Sequence, residues 1–130
     1  MFSHVMVGTS DIEKAKEFYT KVLGTLGAGE PMPNEADTGH QRLFWIHNGG
    51  IFGVSEPIDD QPATCANGAT IGFACDSLEQ VKAFHDAGVA AGGTSIEDPP
   101  GLRESTMGGM HLSYVRDLDG NKLCAMHRVA

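Results

Sequence analysis

Residues 4–19 read HVMVGTSDIEKAKEFY, and residues 70–85 read TIGFACDSLEQVKAFH, which repeats the same order of residue types 66 positions further along. In each copy a short apolar run leads into a Ser/Asp cluster, and a helical pattern follows. Three framework residues recur at matching positions of the two copies: Glu13, Lys16 and Phe18, then Glu79, Lys82 and Phe84. A repeated supersecondary unit of this kind predicts two similar halves of one fold.

The chain length places both halves in one domain. With 130 residues the protein can bury one substantial core but is short for two independent ones. We therefore expect a single domain over residues 1–130. Module one covers about 1–58, a linker about 59–68 and module two about 69–130.

Composition excludes several classes of partner. The formal net charge is −8, and no basic stripe offers a surface for a phosphate backbone. No apolar run approaches the roughly 20 residues needed to cross a bilayer, and the N-terminus lacks the pattern of a signal peptide. The three cysteines show no CxxC spacing, which favours reduced thiols. We expect a cytoplasmic protein that binds neither nucleic acid nor membranes.

The sequence patterns of the two halves predict the same order of strands and helix. In the first half, 2–7 is a predicted strand, the capping-box pattern of 10–13 begins a helix, and 30–39 is a loop with at most a short strand. Strands at 41–47 and 51–55 then flank a tight hairpin turn.

The second half repeats the order with one long loop. A strand at 70–75 leads to a helix capped within 76–79, and a short strand follows at 94–97. Residues 98–109 are predicted as a loop. The last two strands, 111–115 and 122–128, flank a turn at 117–121. The fold class is α+β, with two βαβββ modules.

Spacing alone singles out few chemical groups. His4 lies on the strand face opposite the helix-packing valines, but a lone strand histidine is more often structural than catalytic, and no HxH, HxxxH or HExxH cluster accompanies it. Cys124 alternates with Met126, and a free cysteine usually behaves as a small buried hydrophobe. Arg103 could clamp a carboxylate or phosphate, although solvated loop arginines are commoner. Trp45 fits a core or a pocket wall equally well.

Three motifs in order carry a family resemblance. They are His4-Val-Met-Val7, Glu17-Phe-Tyr19 with Leu23-Gly24, and Asp117-Leu-Asp-Gly-Asn-Lys-Leu123. The chain resembles the vicinal oxygen chelate superfamily, which includes glyoxalase I, bleomycin-resistance proteins and extradiol dioxygenases. Leu118 stands where proline is usual in the last motif. The resemblance spans nearly the whole chain and implies a curled mixed sheet around a cavity.

The resemblance also implies a metal site with four ligand positions. In glyoxalase-like members these lie on the first and last strands of each module, and here they hold His4, Gly53, Thr70 and Cys124. Only His4 is a retained ligand, so three of the four positions are substituted. His4 and Cys124 could still form a two-ligand pair, but two ligands hold a metal poorly. We therefore expect the ordinary divalent-metal site to be lost.

These implications leave three hypotheses for function. The first is a glyoxalase-like isomerase or lyase acting on a small oxygenated or thiol-conjugated metabolite, with His4 as general base or residual ligand. The second is a non-catalytic small-molecule binding protein of the bleomycin-resistance type, and the third, weaker one is a dimeric interaction module with a filled cavity. The resemblance implies a homodimer. The residues expected to line the cavity are His4, Met6, Trp45, Gly53, Thr70, Arg103, Cys124 and Met126.

Overall fold

The repeated pattern folds into two strand–helix–strand units in the computed structural model of the protein, which describes residues 1–129. The two halves of the chain form a four-stranded and a five-stranded sheet, with one helix each. The elements are β1 (Val5–Gly8), α1 (Ile12–Gly24), β2 (Met32–Glu35), β3 (Gln41–His47), β4 (Gly50–Ser55), β5 (Ile71–Ala74), α2 (Leu78–Ala90), β6 (Thr94–Ser95), β7 (Gly101–Arg103), β8 (Met110–Arg116) and β9 (Lys122–Arg128).

The first sheet has the strand order β1-β4-β3-β2, with β1 parallel to β4 and the other pairs antiparallel. The β3–β4 hairpin turns at Asn48 and Gly49, whose φ angles of 48° and 78° match the left-handed conformation of a type I′ turn. This confirms the hairpin predicted from the sequence.

The second sheet repeats this order with one strand interrupted. The path β5-β9-β8 corresponds to β1-β4-β3, while β6 and β7 both pair antiparallel with β8. Together β6 and β7 take the place that β2 has in the first sheet. The prediction of an uninterrupted loop over 98–109 was wrong, because 101–103 pairs with β8. Pro99 and Pro100 lack the N–H groups needed to continue the ladder, which explains the break.

Both helices begin close to the predicted caps. The Asp11 side chain accepts from Lys14 N at 3.1 Å, so the α1 cap is Asp11 rather than Ser10, the first residue of the predicted capping box. The Ser77 hydroxyl caps α2 by accepting from Gln80 N at 3.1 Å. Within residues 1–129, each helix has 13 residues, too few to cross a membrane.

The first strand of each module is shorter than predicted. β1 begins at Val5 and β5 at Ile71, so His4 and Thr70 both lie just before a strand. The parallel pairing of β1 with β4 starts at Val5–Phe52, and that of β5 with β9 starts at Ile71–Leu123. Of the four residues that the resemblance assigned to ligand positions, His4 and Thr70 therefore lie outside the strand ladders.

One hydrophobic core joins the two modules. It is filled by alternate residues of both sheets and by the apolar stripes of α1 and α2, which pack against each other. Its main members are Phe18, Tyr19, Val22, Leu43, Trp45, Phe52, Val54, Val81, Phe84, Val115, Leu123 and Ala125. We call the face of each sheet that contributes to this core the inner face, and the opposite one the outer face. Over residues 1–129 the two sheets do not close into a barrel.

A buried hydrogen bond fastens module two to module one. The Tyr19 hydroxyl of α1 donates to Asp117 Oδ2, in the β8–β9 turn, at 2.5 Å. The same carboxylate accepts from Asp119 N and from both the backbone and side-chain amides of Asn121. Ser10 N, just before α1, donates to Asp119 Oδ1 at 2.9 Å. The turn predicted at 117–121 is therefore also a contact between the modules.

Replacing the Tyr19 hydroxyl tests this contact. Tyr19→Phe is expected to lower the free energy of unfolding by about 1.5–3 kcal/mol, the range for a hydrogen bond to a charged group. Urea denaturation at neutral pH measures the loss. Tyr114→Phe, which alters the chain's other tyrosine on the sheet surface, is the matched control and should cost less. Equal losses in the two variants would contradict the assigned role.

The same variant should change the response to alkaline pH. Burial, followed by the Asp117 carboxylate, raises the pKa of Tyr19 well above its ordinary value. The unfolded chain loses this proton from about pH 10, whereas the folded chain retains it, so stability falls as pH rises above 10. Because Tyr19→Phe lacks the group, its stability should fall less steeply there. Parallel curves for the two proteins would show that Tyr19 does not contribute.

Candidate functional site

The outer face of the first sheet is closed over Gly53. Register places Gly53 beside Met6 of β1 and Phe44 of β3. A Cβ atom added to Gly53 would lie 3.0 Å from Met6 Cε and 3.0 Å from two carbons of the Phe44 ring. These two apolar side chains therefore occupy the space that a side chain at position 53 would need. Met32 lies opposite Phe44 and extends the apolar surface.

His4 is at the margin of this face. It precedes β1 and is exposed, and its Nδ1 lies 2.8 Å from the hydroxyl of the neighbouring Ser3. A histidine that acts as a general base or metal ligand usually has its ring oriented by a carboxylate, and no carboxylate among residues 1–129 does this for His4. The role of His4 as general base or residual ligand therefore stays a prediction.

The outer face of the second sheet carries Cys124 beside Tyr114. The two residues are register partners on β9 and β8, and Leu112 pairs with Met126 on the same face. Burial raises the pKa of Cys124, and the hydrogen bond with Tyr114 opposes this only in part. Burial, then the neighbouring Cys124, raises the pKa of Tyr114. At neutral pH both groups keep their protons and act as neutral hydrogen-bonding groups.

Charged residues border the Cys124–Tyr114 pair. Lys122 Nζ forms an ion pair with Glu97 and lies 4.8 Å from the centroid of the Tyr114 ring. Arg103 of β7 is opposite Met110, but its guanidinium donates to the carbonyls of Asp98 and Pro99 at 3.0 Å each. Arg103 is therefore held by its own loop rather than extended as a free clamp.

Trp45 does not belong to this surface. It lies on the inner face, is only 2% exposed, and contacts Tyr19 and Phe52 in the core. The proposed pocket of Trp45, Met6 and Met126 does not form within the described chain, because Met6 lies on the other face of the same sheet. Thr70 precedes β5 and is exposed.

The remaining predicted residues form two separate groups. His4, Met6 and Gly53 lie along the outer side of the first sheet, and a second group lies along the outer face of the second: Arg103, Cys124 and Met126. Both inner faces contribute to one core, so each group lies on the side of its sheet away from that core. Phe44, Leu112 and Tyr114 join these groups although the sequence did not single them out; strand alternation and register together identify them.

The residues present do not fit the superfamily's divalent metal. Gly53 has no side-chain donor and its space is filled, while His4, just before β1, and Cys124, on β9, belong to different modules. In residues 1–129 no three His, Cys, Asp or Glu side chains converge as a ligand group. A metal held by fewer than three protein donors would be weak, so no reaction step is assigned to one.

The chain matches a known protein family over nearly its whole length. The family model of the Glyoxalase/Bleomycin resistance protein/Dioxygenase superfamily matches residues 1–125. A crystal structure of a glyoxalase/bleomycin resistance protein from Albidiferax ferrireducens is 52% identical to this chain, covers 98% of this chain and 99% of its own, and has a TM-score of 0.91. No curated protein matches the chain. The chain therefore belongs to this superfamily, and the resemblance drawn from its motifs is confirmed.

More distant structures share the fold. A mutant of the fosfomycin resistance protein FosX from Listeria monocytogenes, crystallised with Mn(II) and a dihydroxypropylphosphonic acid, is 17% identical, covers 99% of this chain and 90% of its own, and has a TM-score of 0.70. A superfamily enzyme from Burkholderia phytofirmans is 16% identical, covers 98% of both chains and has a TM-score of 0.69. At these identities the likeness shows the fold alone.

Substituting Gly53 tests the closed outer face. Gly53→Ala should lower the free energy of unfolding by about 1–3 kcal/mol, because its methyl group would press on Met6 and the Phe44 ring. Adding Met6→Ala should recover part of the loss by opening space. Chemical denaturation of the single and double variants measures the coupling.

Gly72→Ala provides the matched control on module two. Gly72 is also a strand glycine, and a Cβ there would meet nothing within 4 Å. Replacing it should be neutral or slightly stabilising, since alanine loses less backbone entropy than glycine on folding. A Gly53→Ala variant as stable as Gly72→Ala would show that Met6 and Phe44 do not close over this position.

Proposed function

We propose that the protein binds and sequesters a small molecule without transforming it, in a cavity completed by a second copy of the chain. The observation that carries this proposal is the filling of the Gly53 position by Met6 and Phe44. Where the superfamily resemblance implies a carboxylate ligand, this chain has an apolar wall. Such a wall suits binding through apolar contact rather than charge stabilisation.

Two features support a second copy as the other wall. Each outer face is partly apolar, with Met6 and Phe44 on one sheet and Leu112 and Met126 on the other. Within residues 1–129, β1 and β5 each have a strand neighbour on one side only. Open strand edges and apolar faces are surfaces that a symmetric partner can cover. A homodimer would set module one of one copy against module two of the other.

The polar groups also favour binding over catalysis. Burial raises the pKa of the Cys124 thiol, so it is a poor nucleophile at neutral pH. Arg103 is held by backbone carbonyls, and His4 is exposed beside Ser3. These residues can orient a ligand by hydrogen bonding. We place the protein in the cytoplasm, because its three cysteines are all free thiols.

A glyoxalase-like isomerase or lyase is the second candidate. The Tyr114–Cys124 pair favours it, because two neutral donors beside Lys122 could stabilise negative charge developing on a substrate oxygen. His4 of the other copy would then be the base. This alternative requires turnover that depends on the hydroxyl of Tyr114.

Bleomycin and the methylglyoxal–glutathione hemithioacetal are the probes that distinguish the two functions. Sequestration predicts that one of them raises the melting temperature and is recovered unchanged, since a ligand at 100 times its Kd stabilises the native state by about 2.7 kcal/mol. Met6→Gln and Met126→Gln should each weaken that binding about tenfold. Met107→Gln, on the exposed 105–108 turn, should not.

The contrary results are equally definite. Conversion of the hemithioacetal to its thioester, lost in Tyr114→Phe, would replace sequestration by the lyase function. If neither probe raises the melting temperature, the protein does not bind these two ligand classes. Equal weakening by Met107→Gln would show that the outer faces are not the binding surface.

A further inference from the structure

We propose a second binding site, between the two modules, for a neutral and mainly apolar molecule that carries one hydrogen-bond acceptor. A cavity of about 350 Å³ lies where the β3–β4 hairpin meets β5 and the first turn of α2. This volume is at the small end of the range of ligand pockets. The site is separate from the Met6–Gly53 surface, because neither of those residues lines the cavity, whereas the core residue Trp45 does.

Both modules contribute apolar walls to this cavity. Leu23, Leu26 and Ile51 come from module one, and Ile71 and Phe73 come from β5 of module two. Phe52 and Phe73 meet edge to face with centroids 5.4 Å apart, so the two halves are in direct contact there. This aromatic contact fixes the walls relative to each other, which preorganises the space for a ligand.

Trp45 lines the cavity and carries an indole N–H donor, which is itself shielded from solvent. Its side chain is 98% buried, and its Nε1 has no hydrogen-bond partner among the described residues. Buried indole N–H groups usually have a partner. A ligand carbonyl or ether oxygen that reached this atom would satisfy it, whereas a pure hydrocarbon would leave it unpaired.

The polar mouth of the cavity indicates the charge of the ligand. Asp76 is among the lining residues, and the chain as a whole has a net charge of −8, so an anion is disfavoured. Gln80 is already engaged: its Oε1 accepts from Asp76 N at 2.6 Å and its Nε2 donates to the Thr25 carbonyl at 3.1 Å. No arginine or lysine is among the lining residues. A neutral ligand fits this arrangement.

Cyclohexyl methyl ketone and ethylcyclohexane form a matched pair of probes, since they differ chiefly in the carbonyl oxygen. Trp45 is the chain's one tryptophan, so its indole N–H gives a single NMR cross-peak. Both probes should perturb this signal, with the ketone moving it downfield and binding about threefold to tenfold more tightly. Trp45→Phe should abolish the preference, measured by calorimetry, and leave hydrocarbon binding.

A surface pair of isoleucines supplies the control for folding. Ile51 lines the cavity, while its cross-strand partner Ile46 does not, and both are exposed enough to accept a polar side chain. Ile51→Asp should weaken both probes at least about tenfold, as a carboxylate enters the apolar wall. Ile46→Asp should bind as the unaltered protein does.

The outcomes separate this site from the proposed outer-face cavity. Met6→Gln and Met126→Gln should leave probe binding at Trp45 unchanged, so either proposal can fail alone. No perturbation of the indole signal by either probe up to its solubility would overturn the site. So would equal effects of Ile51→Asp and Ile46→Asp, or a ketone preference that persists in Trp45→Phe.

Discussion

The hydrogen bond from Tyr19 to Asp117 is the constraint on which the arrangement of the two modules depends. It joins a helix of module one to the last turn of module two, 98 residues away in sequence. The amide groups of Asp119 and Asn121 in the same turn also donate hydrogen bonds to the Asp117 carboxylate. Tyr19 is itself a member of the core that both helices and both inner faces share, so the bond ties the last turn of module two to that core.

That constraint has a consequence for function. With the inner faces joined, each outer face lies on the side of its sheet away from the shared core. The residues at the superfamily's ligand positions are thereby divided between the modules: Gly53 lies on the first sheet with His4 just before β1, and Cys124 lies on the second with Thr70 just before β5. The proposed cavity unites both sets through a second copy. The space between the modules is a separate feature, with its own walls and its own unpaired donor at Trp45.

The sequence predicted the elements well wherever local chemistry determines them. Ser77 at the start of α2 and the Asn48-Gly49 turn are local signals, and each gave the observed structure. The strand β7 that follows the break after β6 was not predicted. Pro99 and Pro100 indicate a loop, but they do not show that the chain pairs again with β8 from Gly101. The partner of Asp117 was also invisible, since nothing in the sequence pairs it with Tyr19.

The candidate site was predictable to the extent that alternation applies. Met6, Cys124 and Met126 lie on the outer faces, as strand alternation indicates. Trp45 could not be assigned to core or pocket wall from the sequence, because Leu43–Ile46 is apolar on both faces and its alternation carries no information. The closing of Met6 and Phe44 over Gly53 depends on the register of three strands, which requires the structure.

Disulfide trapping tests most directly whether a second copy of the chain completes the cavity. In a chain with Cys65→Ser and Cys75→Ala, which leaves Cys124 as the remaining native thiol, His4→Cys adds one thiol at the margin of the opposite outer face. If two copies complete the cavity, mild oxidation should give a disulfide-linked dimer on a non-reducing gel, with a mass-spectrometric crosslink between positions 4 and 124. A crosslink within one chain, or none at all, would contradict this account.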